Sequence, residues 1–260
     1  MLHQSQVAGV VFMQTLALYN LKGGVGKSAA AVNLAYLAAA DGYSTLLWDL
    51  DPQAAASWYF DIKSEDGKTK KAVEGNTPIG RLAKPTPYKN LGVIPADFSS
   101  RYLDIMLRKV VPPREALKRL LKPFGEQYSL IVLDCAPSIS HLADNVFTAA
   151  DLVLAPTVPT FLSLRALEQV QDYFKSEGYE SSGLRPFYSM ADRRRSLHRE
   201  LIENRPKAMS RGLETVVPYS STVEKMGEHR APIPAYAPSD DAALIAYAEL
   251  WLETKALLKL

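Results

Sequence analysis

Seven consecutive residues, Lys22-Gly23-Gly24-Val25-Gly26-Lys27-Ser28, are the stretch best suited to chemistry. Gly23, Gly24 and Gly26 lack Cβ atoms, so the backbone can turn sharply and approach an anion closely. The N–H groups of the turn, with that of Ala29 at the start of the following apolar segment, would point at phosphate oxygens. Lys27 would reach the β- and γ-phosphates, and the Ser28 hydroxyl would ligate Mg²⁺. Two more segments supply acids. Trp48-Asp49-Leu50-Asp51-Pro52-Gln53 sets two carboxylates in alternation at the end of an apolar run. Leu130-Ile131-Val132-Leu133-Asp134 is a second apolar run closed by an acid, the Walker B form, in which Asp134 binds Mg²⁺ directly or through water. A carboxylate in such a place needs a cation or water. Glycine loop and acids together suit phosphoryl transfer, which asks a protein mainly for positioning and charge stabilisation.

These groups need rigid elements to hold them. Short, almost continuously apolar runs predict strands at Thr15–Asn20, Thr45–Leu50, Leu91–Pro95, Tyr128–Leu133, Leu152–Ala155, Pro186–Met190 and Glu214–Val217, as expected for strands buried on both faces. Helical patterns fall between them at Ser28–Ala40, Pro113–Lys122, His141–Ala149, Ser163–Ser176 and Ser196–Asn204, with a long final one from Asp240 to Leu260. The alternation predicts an α/β fold of three layers, a mostly parallel twisted sheet with helices on both faces. Ligands of such folds sit at the carboxyl ends of the strands, where every motif above falls. Asp61 to Lys89 is polar, rich in lysine, glycine, proline and threonine, and reads as a surface excursion or mobile loop.

The chain's 260 residues fit one large domain: residues 1–14 read as an N-terminal tail and 15–260 as a single ATPase domain. Net charge is only +2, so any nucleic-acid footprint must be local. Cys135 is the one cysteine, which excludes an internal disulfide and disfavours a cysteine metal site. The apolar stretch Val7 to Met13 is short and preceded by no Lys or Arg, which argues against a secretory signal. No apolar run reaches the roughly 18 residues of a membrane span.

The loop departs from the ordinary G-x-x-x-x-G-K-[ST] pattern. Its first glycine would fall at Leu21, and a second lysine, Lys22, opens the loop. This KGGxGK[ST] form resembles the deviant Walker A motif of the ParA/MinD family of P-loop ATPases. Asp49-Leu50-Asp51-Pro52-Gln53 is similar to the DxDPQ segment of the ParA branch, and Asp134 with Pro137 to that family's D-x-x-P switch. Asn145–Asp151, Leu154–Thr157, Met190–Arg194 and Val217–Ser220 extend the likeness, which runs from about Thr15 to about Leu252. The resemblance implies ATP and Mg²⁺ as cofactors, with slow, partner-stimulated hydrolysis to ADP and phosphate. It implies that Lys22 reaches the nucleotide of a second copy in an ATP-dependent homodimer. Asp51 would orient or activate the attacking water, Asp49 would hold the Mg²⁺ shell, and Met190 and Pro218 would border the adenine.

From Arg185 to Arg230 there are ten Lys and Arg against six Asp and Glu. Arg193, Arg194, Arg195, Arg199, Lys207, Arg211 and Arg230 are the candidate DNA contacts, since ParA proteins bind DNA without sequence preference through basic residues of this half. Such binding is phosphate-driven and salt-dependent. About 14 residues precede the first strand, too few for the helix-turn-helix module of some relatives. The family reading is a cytoplasmic, nucleoid-associated ATPase that partitions a plasmid, chromosome origin or protein assembly with a ParB-like adaptor. The alternative is a MinD-like membrane-associated positioning ATPase. That needs a final amphipathic helix rich in Lys and Arg, whereas Asp240, Asp241, Glu249 and Glu253 dominate here, so no stable membrane association is expected. Iron–sulfur relatives need paired cysteines, and bacterial tyrosine kinases end in a tyrosine cluster; the chain shows neither.

Overall fold

Apolar strand segments become sheet because their side chains can alternate between two covered faces. The computed structural model of the chain describes residues 13–260. Its strands are β1 (Gln14–Leu18), β2 (Thr45–Asp49), β3 (Lys84–Pro85), β4 (Leu91–Ile94), β5 (Leu130–Asp134), β6 (Leu152–Thr157), β7 (Leu184–Ala191) and β8 (Val216–Pro218). They form one sheet in the order β3-β4-β2-β5-β1-β6-β7-β8, parallel except for the β3–β4 pair. The helices are α1 (Lys27–Ala40), α2 (Ala55–Tyr59), α3 (Lys68–Val73), α4 (Leu103–Leu107), α5 (Ala116–Leu121), α6 (His141–Ala149), α7 (Phe161–Ser176), α8 (Ser196–Glu203), α9 (Ser221–Glu224), α10 (Met226–His229) and α11 (Ala242–Leu258).

Period two divides the strand residues between two cores. Ala17, Leu46, Trp48, Ile131 and Leu133 meet α3 to α7 on one face. Leu16, Leu18, Leu47, Leu130 and Val132 meet α1 and α11 on the other. The alanine-rich α1 buries Ala30, Ala31, Ala35 and Ala38 completely, and small side chains on that scale let it lie between the sheet and α11. The three-layer expectation holds. All seven expected strands form, within a few residues of their expected ends. β1 starts at Gln14, and most of the expected tail lies outside the described residues.

Two expectations change. The segment from Asp61 to Lys89 is not simply a surface loop: it forms α3 and a following single-turn helix, and buries Ala72, Val73, Ile79 and Leu82 in the core. Asp97 holds it in place by accepting the Thr69 N–H at 2.8 Å. The final helix docks on the core through Ala243, Ala246, Tyr247, Leu250, Trp251 and Leu258. Its Glu253 carboxylate accepts from the N–H groups of Glu214 and Thr215 at 2.9 and 2.8 Å, just before β8. Among the described residues no helix is long and apolar enough to cross a membrane.

Candidate nucleotide site

The loop from β1 to α1 is built as its glycines allow. Gly24 and Gly26 have φ of +69° and +90°, in the left-handed region that side chains rarely adopt. At Gly26 space is closed as well, because a Cβ there would lie 2.9 Å from Ser189 Oγ. Asn20 anchors the loop's base: its side chain donates to Pro156 O at 2.8 Å and accepts the Lys22 N–H at 2.9 Å. The Lys27 ammonium folds back to donate to Lys22 O at 3.1 Å. Burial holds its pKa below the usual lysine value, and Asp134 partly opposes that shift.

A cavity of about 450 Å³ opens beside this loop. Gly23, Gly24, Gly26, Lys27, Ser28 and Ala29 line one side, and Asp51 and Pro137 the floor. Met190 and Pro218 face them from the ends of β7 and β8. Met190 itself stands at a φ of +53°, beside an irregularity in the β7–β8 pairing. Residues from four parts of the sequence are thus gathered at the carboxyl ends of the strands. Val25 is 1 % exposed, so only its backbone is available to an anion. Lys22 does not line the cavity; its side chain runs away to Ser163 Oγ at 3.0 Å.

The three acids differ in their surroundings. Asp51 closes a tight turn by accepting the Gln53 N–H at 2.9 Å and keeps its place at the cavity wall. Asp49 is fully buried and already partnered: one oxygen accepts from Ser57 N–H at 2.8 Å and Ser57 Oγ–H at 2.6 Å, the other from Asp51 N–H at 3.2 Å. Burial raises its pKa to about 6 despite those bonds. Asp134 is also fully buried, and neither of its oxygens has a hydrogen-bond partner. Burial, then the charge of Asp49, pushes its pKa well up; the nearby Ser28 hydroxyl and Lys27 pull the other way. Buried polar atoms are normally paired, so an orphaned carboxylate beside Ser28 is what a bound cation would relieve. Among the described residues no cluster of three or more His, Cys, Asp or Glu could hold a metal. Mg²⁺ needs none, since it is held by one or two protein ligands with phosphates and water. The donor set therefore fits Mg²⁺ at Ser28 and Asp134. It does not favour Asp49, whose carboxylate is engaged by Ser57 and Asp51.

The candidate DNA contacts do not make one surface. Arg193, Arg194, Arg195 and Arg199 are exposed together just past β7, with Arg199 donating to the carbonyls of Arg193 and Arg194 at 2.7 and 3.2 Å. Arg194 also clamps Asp192 through two bonds of 2.8 and 3.0 Å, which hold that acid's pKa down at about 2. Arg211 binds Ser181 Oγ at 2.8 Å, before the start of β7, with Lys207 exposed on the same stretch of chain. The eight residues of β7 separate the two groups by roughly 25 Å. Arg230 is taken up by Asp61 and lies 3.8 Å over the Trp58 ring.

Ser57, Ser189, Tyr59 and Tyr219 were not apparent from the sequence. Ser57 holds Asp49, while the other three help wall the cavity. Only Ser57 left a trace, because a buried Asp49 requires donors that nothing in its own motif supplies.

A glycine loop between first strand and first helix, a strand-terminal acid beside it and a largely parallel sheet define a P-loop nucleotide-binding protein. A family described as an AAA domain matches residues 13–179. The sporulation initiation inhibitor protein Soj of Bacillus subtilis is 30% identical over 251 residues, covering 93% of this chain and 98% of that protein. The chromosome partitioning protein ParA of Caulobacter vibrioides is 29% identical over 235 residues, covering 86% and 87%. A Borrelia burgdorferi plasmid partition protein bound to AMPPNP shares the fold with a TM-score of 0.78, at 20% identity and 94% and 99% coverage. The chain belongs to this family, as a P-loop ATPase of the ParA/MinD type.

Proposed function

We propose that residues 15–260 form a single ATPase domain that binds ATP with Mg²⁺ and hydrolyses it slowly, as a switch for positioning a cargo on DNA. The observation that carries this reading is the unpartnered Asp134 carboxylate, buried beside Ser28 and Lys27 under a cavity walled by the glycine loop. Backbone N–H groups of Gly23 to Ala29 would cradle the phosphates, with Lys27 on the β- and γ-oxygens. Ser28 and Asp134 would hold the metal, which supplies charge neutralisation at the phosphates. Asp51, at the cavity wall, would orient the attacking water. Asp49 would set that wall's shape, since Ser57 at one end of α2 and the Asp51 N–H both hang on its carboxylate. The base would lie between Met190 and Pro218.

Dimerisation through Lys22, DNA binding and an adaptor of the ParB kind complete the proposal. The partitioning roles in the names of the Soj and ParA relatives support it. Placement in the cytoplasm on the nucleoid belongs to the same reading. The basic group Arg193, Arg194, Arg195 and Arg199 is its best DNA contact, because those residues are exposed and adjacent. The membrane alternative has less support, since α11 buries its apolar residues against the core.

DNA retention measured with ATP, with ADP and without nucleotide, for the parent chain and Asp51→Ala, tests the switch. Binding should require ATP and persist longest in Asp51→Ala. Equal binding with ADP and ATP would refute it.

A further inference from the structure

The lysine assigned to a second copy's nucleotide points somewhere else. Its backbone is fixed, because the Lys22 N–H is held by Asn20 and Asn20 is held by Pro156 O at the end of β6. Its ammonium donates to Ser163 Oγ at 3.0 Å, in the first turn of α7. Among the described residues no carboxylate pairs with it. Ser163 is fully buried, and its oxygen also accepts from the hydroxyl of Thr160, which caps α7. Two donors on one hydroxyl oxygen fix it in space as an acceptor.

We propose that Ser163 is a positioning residue that keeps Lys22 withdrawn, and that Lys22 must leave it before it can serve the nucleotide of a second copy. This rests on the reading of Lys22 given under the proposed function. The physical case is the character of the resting place. The start of a helix carries partial positive charge, so an ammonium there is poorly placed. A single neutral oxygen holds it, with no ion pair. Such a hold is specific in direction yet weak enough for a polyphosphate, with several negative charges, to overcome. Phe161 and Leu162, which precede Ser163, are 67 % and 72 % exposed, so a second copy covering them would come directly over the withdrawn lysine.

Acylation of lysines by an N-hydroxysuccinimide ester, read at each site by mass spectrometry on the full nucleotide-free chain, tests this. Lys22 should react more slowly than exposed Lys207 in the parent. Ser163→Ala should speed Lys22 labelling roughly two- to tenfold, the span of one hydrogen bond's net worth, and leave Lys207 unchanged. The same variant should reach the ATP-dependent dimer at a correspondingly lower protein concentration in sedimentation. Ser163→Thr, which keeps the hydroxyl, should restore slow labelling. If Lys22 labels as fast as Lys207 in the parent, or if Ser163→Ala changes nothing at Lys22, the withdrawn state is wrong, whatever Lys22 does in a dimer. If labelling behaves as expected but Lys22→Ala dimerises normally with ATP, the reading of Lys22 in trans fails, and release from Ser163 loses its role with it.

Discussion

Asp49 and Asp134 end neighbouring parallel strands in direct register, and only Asp49 is hydrogen-bonded. Ser57 supplies two donors to one acid; the other faces Ser28 with both oxygens bare. The contrast separates a carboxylate that shapes the site from one that waits for a cation.

The bare carboxylate should make the nucleotide-free protein sensitive to pH. A raised pKa means that the folded state keeps its proton to a higher pH than the unfolded state, so stability falls as pH rises above the unfolded carboxylate range. For Asp49, at about 6 in the folded chain, the loss between roughly pH 4 and pH 6 is on the order of 3 kcal/mol. Asp134 adds to it in the same direction. Asp134→Asn removes that group's share, so urea denaturation without nucleotide should show the variant gaining on the parent from pH 5 to pH 8. Mg²⁺-dependent turnover should be lost in the same protein. Parallel stability profiles would contradict the assignment.

Lys27→Ala should abolish ATP binding in a fluorescent-nucleotide titration, because it removes the one buried ammonium at the loop. Asp51→Ala should behave differently, binding ATP but failing to turn it over. Sedimentation should then find a long-lived ATP-bound dimer, and unchanged turnover in that variant would move the catalytic role to another residue.

Gly26→Ala should damage both fold and site. A residue with a Cβ is strained at a φ of +90°, by about 1–2 kcal/mol, and here the new carbon also meets Ser189 Oγ. Denaturation should report a loss of that size or more, together with weakened ATP binding. Adding Ser189→Gly should return part of the stability by relieving the clash but not the strain.

Removing Arg193, Arg194 and Arg195 together should weaken DNA binding and flatten its salt dependence, by a slope of roughly 0.9 per lost phosphate contact. Singly, Arg194→Ala should matter least, because Arg194 already pairs with Asp192 through two bonds. Arg230→Ala should have little effect on DNA but disturb the packing at Trp58. Gel shifts across a salt series would separate these cases.

Local pattern made the sheet legible. Apolar runs such as Thr45–Asp49 and Leu130–Asp134 announce buried parallel strands, and the glycine loop announces phosphate. What the sequence hid was short or distant. Helices such as α2 and α9 are only five and four residues long, too brief to show a period. The buried residues of α3 stand among lysines that dominate its composition. Partners such as Asp61 for Arg230, or Ser163 for Lys22, lie far along the chain, and only the fold brings them together. Seven basic residues counted as one patch are divided because β7 runs between them, a separation that composition cannot register.

The two ends of the sheet bear on how copies of this chain can meet. β3 is a two-residue strand containing Pro85, which has no N–H to offer a further strand. β8 is three residues long, and Glu253 of α11 already occupies the backbone donors that lead into it. Neither margin is a long, flat template for strand addition, the route by which sheets grow into fibres. A protein that must gather on a crowded polymer at high local concentration benefits from that arrangement. Copies can then assemble and disperse through loops and side chains that respond to nucleotide, without the irreversible adhesion that an open sheet edge invites.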